Sequence, residues 1–300
     1  MHLVDWFIVA AYLIWVVYDG LKRTKASSAV EGYFLANRSL PWWAVGLTVM
    51  ATQMSAITLV GTTGQGYADG MRFVQFYFGL PVAMIILSLT LVPFFYRAKV
   101  YTAYEYLERR FGPSARVISV IIQVIYRTNV LGNVAYSLFL TFAVLTGWGD
   151  STWYLVVAIA AGAALYTATG GLWAVIVTDV LQFVILAAAV IIIVPLAFAK
   201  IGGVGELFER APENFFNLST SEFTPLFFIG FGLYNLCFIA GNWAYAQRYT
   251  SVKTPRDARK VALLFGCLYT ICPVIWMLPP MILRIYNPSL DIEAGEANHA

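Results

Sequence analysis

The sequence predicts an all-α integral membrane protein, and three observations predict it. The 300 residues are 60% hydrophobic and only 12% charged, where a soluble domain carries about 25% charged residues. Mean hydropathy is +0.73, which leaves too little polar surface to face water. The apolar residues also fall into runs of the length that a hydrocarbon layer about 30 Å thick demands. The formal charge of +3 is too small to suggest nucleic acid, so basic clusters on this background mark loop sides rather than ligand sites.

Taken in order, the apolar runs give eight helical candidates, near 4–20, 41–65, 73–96, 115–146, 152–169, 172–199, 224–247 and 259–285. The first is short for a span. It is preceded by Asp5 and by no basic stretch, unlike a signal peptide. Lys22, Arg23 and Lys25 follow it, which predicts an outside N-terminus and a cytoplasmic first loop in a multi-pass protein of the cell (inner or plasma) membrane. The other loops agree. Fourteen basic residues fall on the cytoplasmic side, Arg38, Arg97, Arg116 and Arg248 among them, against Arg72, Lys200, Arg210 and Arg284 outside. The stretch 97–114 reads as a cytoplasmic loop carrying an interfacial helix, and 201–223 as an external loop. "SLDIEAGEANHA" (289–300) looks like an outside loop leading elsewhere. Trp42, Trp43, Trp148, Trp153 and Trp243, near predicted ends, fit an aromatic belt. Cys237, Cys267 and Cys272 lie in apolar segments, as small packing residues rather than disulfides.

Catalytic signatures are absent from this reading. The two histidines are terminal, His2 and His299, which gives no basis for a histidine metal site. "GTTGQG" (61–66) and "GGVG" (202–205) lack the lysine of a phosphate loop, and no paired carboxylates share a face within a span. The expectation is therefore a protein that is not an enzyme.

Polar residues at membrane depth carry the information instead. Thr48, Thr52, Ser55 and Thr62 share one helical face by spacing, widened by Gln53 and Thr58. Such a stripe serves either helix packing or a solute-lining face. Arg127 lies eleven residues beyond Arg116, so at about 1.5 Å per residue it sits roughly 16 Å deep, near the midplane. A charge there needs protein or a water-filled cavity around it: either a pair with Asp179 or a solute. Asp179 costs about 2.5–3.5 kcal/mol at a bilayer centre. Beside Thr178 and Gln182 it is a hard oxygen ligand suited to a cation or proton.

Four stretches, "LPWWAVGLTVMATQMSAITLVGT" (40–62), "VYTAYEYLERRFG" (100–112), "YTATGGLWAVIVTDVLQ" (166–182) and "NWAYAQRYTSVKTPRDARK" (242–260), resemble the sodium:solute symporter family. The likeness extends over essentially the whole chain. It implies a five-plus-five inverted-repeat transporter fold behind an extra N-terminal helix, with 1–300 a single transmembrane symporter domain. On that scheme 41–199 is the first repeat, and 224–285 is the first two helices of a second repeat that is truncated here, so that 1–300 alone is expected not to transport. The family's first core helix unwinds in mid-membrane, which implies that the carbonyls of Ala51 and Met54 face a sodium ion and that Asp179 lies near the sodium pathway. Sodium and a small organic solute are the implied partners, with the lipid bilayer as surroundings, and the implied mechanism is symport by alternating access. Sugar-transporting members carry a Glu and a Lys where Ile57 and Tyr269 stand here. Asn235 matches a sugar-contacting asparagine. Ser55, Thr58, Gln75 and Arg127, with Gln53 beside them, resemble the sialic acid type, in which hydroxyls, an amide and an arginine bind a sugar acid. A sodium-coupled sugar or polyol symporter is the alternative, and a membrane-embedded sensor module or channel the reading from a different class.

Overall fold

The computed structural model describes residues 3–22, 30–55, 57–71, 75–100, 102–213, 215–217 and 224–288. His2, Arg23, Lys25, Arg72, His299 and the 289–300 stretch lie outside the described residues, as do the side chains of Ile57, Gln75 and Trp243. Among the described residues regular structure is helical, apart from one isolated bridge between Leu40 and Val252. The helices are α1 (Leu3–Lys22), α2 (Val30–Leu35), α3 (Trp42–Gln53), α4 (Thr62–Asp69), α5 (Gln75–Leu89), α6 (Leu91–Ala98), α7 (Ala103–Phe111), α8 (Pro113–Thr146), α9 (Thr152–Ile201), α10 (Val204–Glu209), α11 (Pro225–Gly241), α12 (Trp243–Thr250) and α13 (Pro255–Tyr286).

Among the described residues four continuous helices are long and apolar enough to cross a membrane, Leu3–Gly20, Pro113–Thr146, Gly149–Ile201 and Pro255–Tyr286, and the pair α5–α6, bent by 43°, makes a fifth. The eight sequence candidates outnumber these because several runs are interrupted. Gly149–Ile201 spans 53 residues, about 80 Å at 1.5 Å per residue, more than twice the hydrocarbon thickness. Gly171 divides it, with φ 59° and ψ −159°, into limbs 152–170 and 172–201. The run 42–69 is broken between α3 and a π-helical turn at Ile57–Gly61. The run 225–250 is broken at Asn242.

The breaks change one sequence expectation. Thr48, Thr52, Ser55 and Thr62 do not share a continuous helical face, because Met54 is extended (φ −89°, ψ 109°) and α3 stops there. Thr62 lies beyond the π-turn, in α4.

α13 is the central post. It packs on α3, α4, α5 and α9, and its buried face carries Val261, Ala262, Phe265 and Met281. Close packing is obtained with small residues, as membrane helices require in the absence of a hydrophobic drive between them. A Cβ on Gly46 of α3 would lie 2.5 Å from Leu264 Cδ2 of α13. α1 lies against α9 through Gly20 and Gly170, where a Cβ on Gly170 would come 2.9 Å from the Gly20 carbonyl oxygen. Side-chain caps fix where several helices start: Thr102 Oγ1 accepts from Glu105 N, Thr224 Oγ1 from Phe227 N and Thr254 Oγ1 from Asp257 N. α7 is the short helix expected within 97–114. α10 lies in the 201–223 loop, whose Phe215 carbonyl accepts the Met71 N–H at 2.9 Å.

Candidate functional site

The interruption after α3 is the first component. Met54 N still donates to the Ala51 carbonyl at 3.0 Å, but its own extended backbone turns its carbonyl out of the helical ladder. Chain direction is recovered by side chains. Thr58 Oγ1 donates to the Gln53 carbonyl at 2.8 Å, Thr58 N donates to Ser55 Oγ at 3.3 Å, and the two hydroxyls lie 3.4 Å apart. Ser and Thr compete for backbone partners in this way, and here they hold an unwound segment open. Ala51, Met54 and Leu59 line one wall of a cavity of about 230 Å³ whose other wall is Gln182, Phe183 and Leu186 of α9. The polar residue on the α9 wall of that cavity is Gln182, and the chain opposite it is the end of α3, where regular helical bonding stops.

The second component is an ion pair. Asp179 Oδ2 accepts from Thr48 Oγ1 of α3 and, at 3.1 Å, from Arg248 Nη2 of α12. Arg248 also donates from Nε to Thr48 Oγ1 at 3.4 Å and from Nη1 to the Ala244 carbonyl at 2.8 Å. Both charges are largely enclosed, with side-chain exposures of 8% for Arg248 and 14% for Asp179. The partner of Asp179 is therefore Arg248 and not Arg127. Arg248 is also not a loop residue: it sits on α12 between buried Tyr245 and Tyr249, which removes it from the cytoplasmic loop count. Thr178, expected beside Asp179 as a ligand, turns its hydroxyl back to the Ala174 and Val175 carbonyls.

Arg127 is the third component. From the middle of α8 its Nη2 donates to Asn242 Oδ1, at the break between α11 and α12. The same oxygen accepts from Ala244 N at 3.1 Å and caps α12. α8 also packs on the π-turn that follows the first break. Both interruptions thus meet α8, and the guanidinium is held at the second of them.

The remaining expected residues fall out as follows. Gln53, Ser55 and Thr58 surround the first break. Asn235, one turn and more before the second break, donates to the Phe231 carbonyl of its own helix at 2.9 Å. Tyr269, which stands where sugar-type members carry a lysine, packs against Tyr77 and Phe265. Sequence reasoning missed Arg248, which follows the seventh apolar run and reads as loop, and Asn242, a neutral amide inside that run.

The fold is that of a known transporter architecture. A solved structure of a Na+-coupled sialic acid symporter, in a substrate-bound outward-open state, superposes with a TM-score of 0.87 at 23% identity, over 99% of this chain and 66% of that one. The model of the sodium:solute symporter family matches residues 33–290, and the chain belongs to that family. It is similar to the sodium/sialic acid symporter SiaT of Proteus mirabilis (strain HI4320), 28% identical over 96% of this chain and 60% of that protein. It is equally similar to the sodium/glucose cotransporter of Vibrio parahaemolyticus, 28% identical over 99% of this chain and 58% of that one. The chain thus spans about three fifths of the length of these relatives.

Proposed function

We propose that the protein is a sodium-coupled symporter, in the plasma or inner membrane, that imports a carboxylate-bearing small solute by alternating access. The observation that carries this is Arg127, a guanidinium midway along α8 and bonded to Asn242 at the second helix interruption, on the helix that also packs on the first. Arg presents a planar fork that matches a carboxylate with two hydrogen bonds, and a charge at this depth persists only with a partner or a cavity. Ser55 and Thr58 at the first break read hydroxyls on the rest of the solute, with Gln53 and Gln75 supplying amides. Ile57 and Tyr269, where sugar-transporting members carry Glu and Lys, favour an acid over a neutral sugar; the relatives include symporters of both kinds.

Sodium enters at the cavity lined by Ala51 and Met54. Asp179, one turn before Gln182, lies next along the ion's route, its charge balanced by Arg248. Sodium moving down its gradient favours the solute-competent state, and one charge crossing 100 mV supplies about 2.3 kcal/mol, or about fiftyfold accumulation of solute. In the repeat scheme, with 41–199 as one unit and 224–285 opening the next, the two interruptions fall in the first helix of each repeat. The N-terminus is placed outside on the distribution of basic loops.

The test is uptake by the full-length protein in proteoliposomes. N-acetylneuraminic acid is expected to accumulate only under a sodium gradient. Arg127→Lys is expected to lower solute affinity tenfold or more while keeping the sodium response. Uptake of a neutral sugar that survives Arg127→Ala undiminished, with no uptake of the acid, would sink the reading.

A further inference from the structure

We infer that Asn242 is the positioning residue that aims Arg127 at the solute, and that it sets the preference of the site for a carboxylate; this deepens the function proposed above and rests on it.

Asn242 Oδ1 accepts two hydrogen bonds, from Ala244 N and from Arg127 Nη2. The first bond caps α12, and Asn242 has the extended backbone of an N-cap, φ −87° and ψ 111°. The residue is 6% exposed. Its side chain is therefore fixed from one side by its own helix and can hold Arg127 from the other. Arg127 needs such a hold, because it is exposed on a long, flexible side chain and has no ion pair among the described residues. Without it the guanidinium would sample many rotamers beside the second interruption.

The geometry of the anchor matters as much as its presence. A guanidinium carries five N–H donors in a fixed fork, and Asn242 engages one. Among the described residues no other acceptor lies within hydrogen-bond distance of Arg127, so four donors remain for a ligand. A neutral amide oxygen is also the suitable anchor. It orients the guanidinium without neutralising it, whereas a carboxylate at the same place would satisfy the charge internally and compete with the solute.

α12 gives the anchor a rigid base. The helix begins at Asn242 and carries Arg248 six residues later, locked to Asp179 and Thr48. Arg127 is thus registered against the same element that holds the buried ion pair.

Three substitutions separate the anchor from the cap, since Asn, Asp and Ser cap helices about equally well. Asn242→Ser keeps a capping oxygen but shortens the side chain by one bond and withdraws it from Arg127. Asn242→Asp keeps the cap and places an internal carboxylate on the guanidinium. Arg127→Ala removes the group being aimed. Binding of N-acetylneuraminic acid and of its methyl ester is measured by calorimetry on the full-length protein with sodium present, alongside thermal melting. We expect the serine variant to lose about tenfold in affinity for the acid and the aspartate variant a hundredfold or more. Both should melt near the parent, and neither should lose affinity for the ester in proportion. If Arg127→Ala loses the acid but both Asn242 variants bind it as the parent does, the positioning role is overturned and the carboxylate reading stands. If the parent shows no preference for the acid, or Arg127→Ala keeps it, the carboxylate reading fails and this inference fails with it. If acid and ester weaken equally in the serine variant and its melting falls, Asn242 is a cap alone, and the inference is again overturned.

Discussion

Arg248→Met is expected to destabilise the protein by about 3–5 kcal/mol, the range for removing one member of a buried ion pair. The methionine fills much of the arginine volume, so the loss is electrostatic rather than a packing defect. It leaves Asp179 charged, largely enclosed and held by Thr48 alone, in a limb of α9 that lies within the membrane, where an unpaired carboxylate is costly. Asp179→Asn should be milder, because Arg248 keeps the Ala244 carbonyl and Thr48 as acceptors. The double variant Asp179→Asn, Arg248→Met removes both charges and should recover most of the loss. Thermal melting of the four proteins in one detergent closes the cycle. An Arg248→Met protein that melts with the parent would mean that the pair does not hold α3, α9 and α12 together. The same set, assayed for sodium-dependent uptake, separates stability from coupling: Asp179→Asn is expected to weaken sodium activation even where it melts normally.

The helical runs were legible because hydrocarbon demands them: each apolar stretch had to satisfy its backbone internally. The division of α9 was legible for a related reason, since Gly170–Gly171 falls between the candidates at 152–169 and 172–199. The interruption after α3 was not legible from composition. Met54, Ser55 and Ala56 include neither Gly nor Pro, so only the resemblance pointed to it. The cause lies in Ser55 and Thr58, whose hydroxyls take backbone partners, and such residues look the same in an unbroken membrane helix.

The partner of Asp179 was illegible for a different reason. Arg248 stands in "QRYTSVKTPRDARK", a stretch whose charge density reads as loop, and its contact with Asp179 crosses 69 residues of sequence. A signal was present in Tyr245 and Tyr249, which with Ala246 give the stretch before Ser251 an apolar helical face. The sequence placed Arg127 midway along its helix, where α8 has it, but its partner lies 115 residues away. Depth follows from counting residues, whereas pairing follows from tertiary packing that no local pattern encodes.

The second large effect is expected at Gly171. With φ 59° and ψ −159° it occupies a region essentially restricted to glycine, where another residue costs about 1–3 kcal/mol from the backbone alone. Space is lacking too. A Cβ at Gly171 would lie 2.9 Å from the Tyr33 carbonyl oxygen and 3.2 Å from Tyr33 Cα, so the backbone of α2 would have to move. That backbone is not free to do so, since the Phe34 carbonyl beside it accepts from Gln247 of α12 at 2.6 Å. Gly171→Ala is therefore expected to lower the melting temperature more than any other glycine-to-alanine change in α9, and to reduce the yield of folded protein. Gly162 provides the contrast. It lies in the first limb of the same helix, and a Cβ there meets nothing nearer than Val17 Cγ2 at 3.9 Å. Gly162→Ala should be neutral or stabilising by up to about 1 kcal/mol, the helix preference of Ala over Gly. Because Asp179 and Gln182 lie two and three turns beyond Gly171, a straightened α9 would also carry them away from Arg248 and from the cavity at Ala51. Whatever Gly171→Ala protein folds is thus expected to have lost its sodium response. A variant that melts and responds to sodium as the parent does would show that the bend at Gly171 positions neither residue.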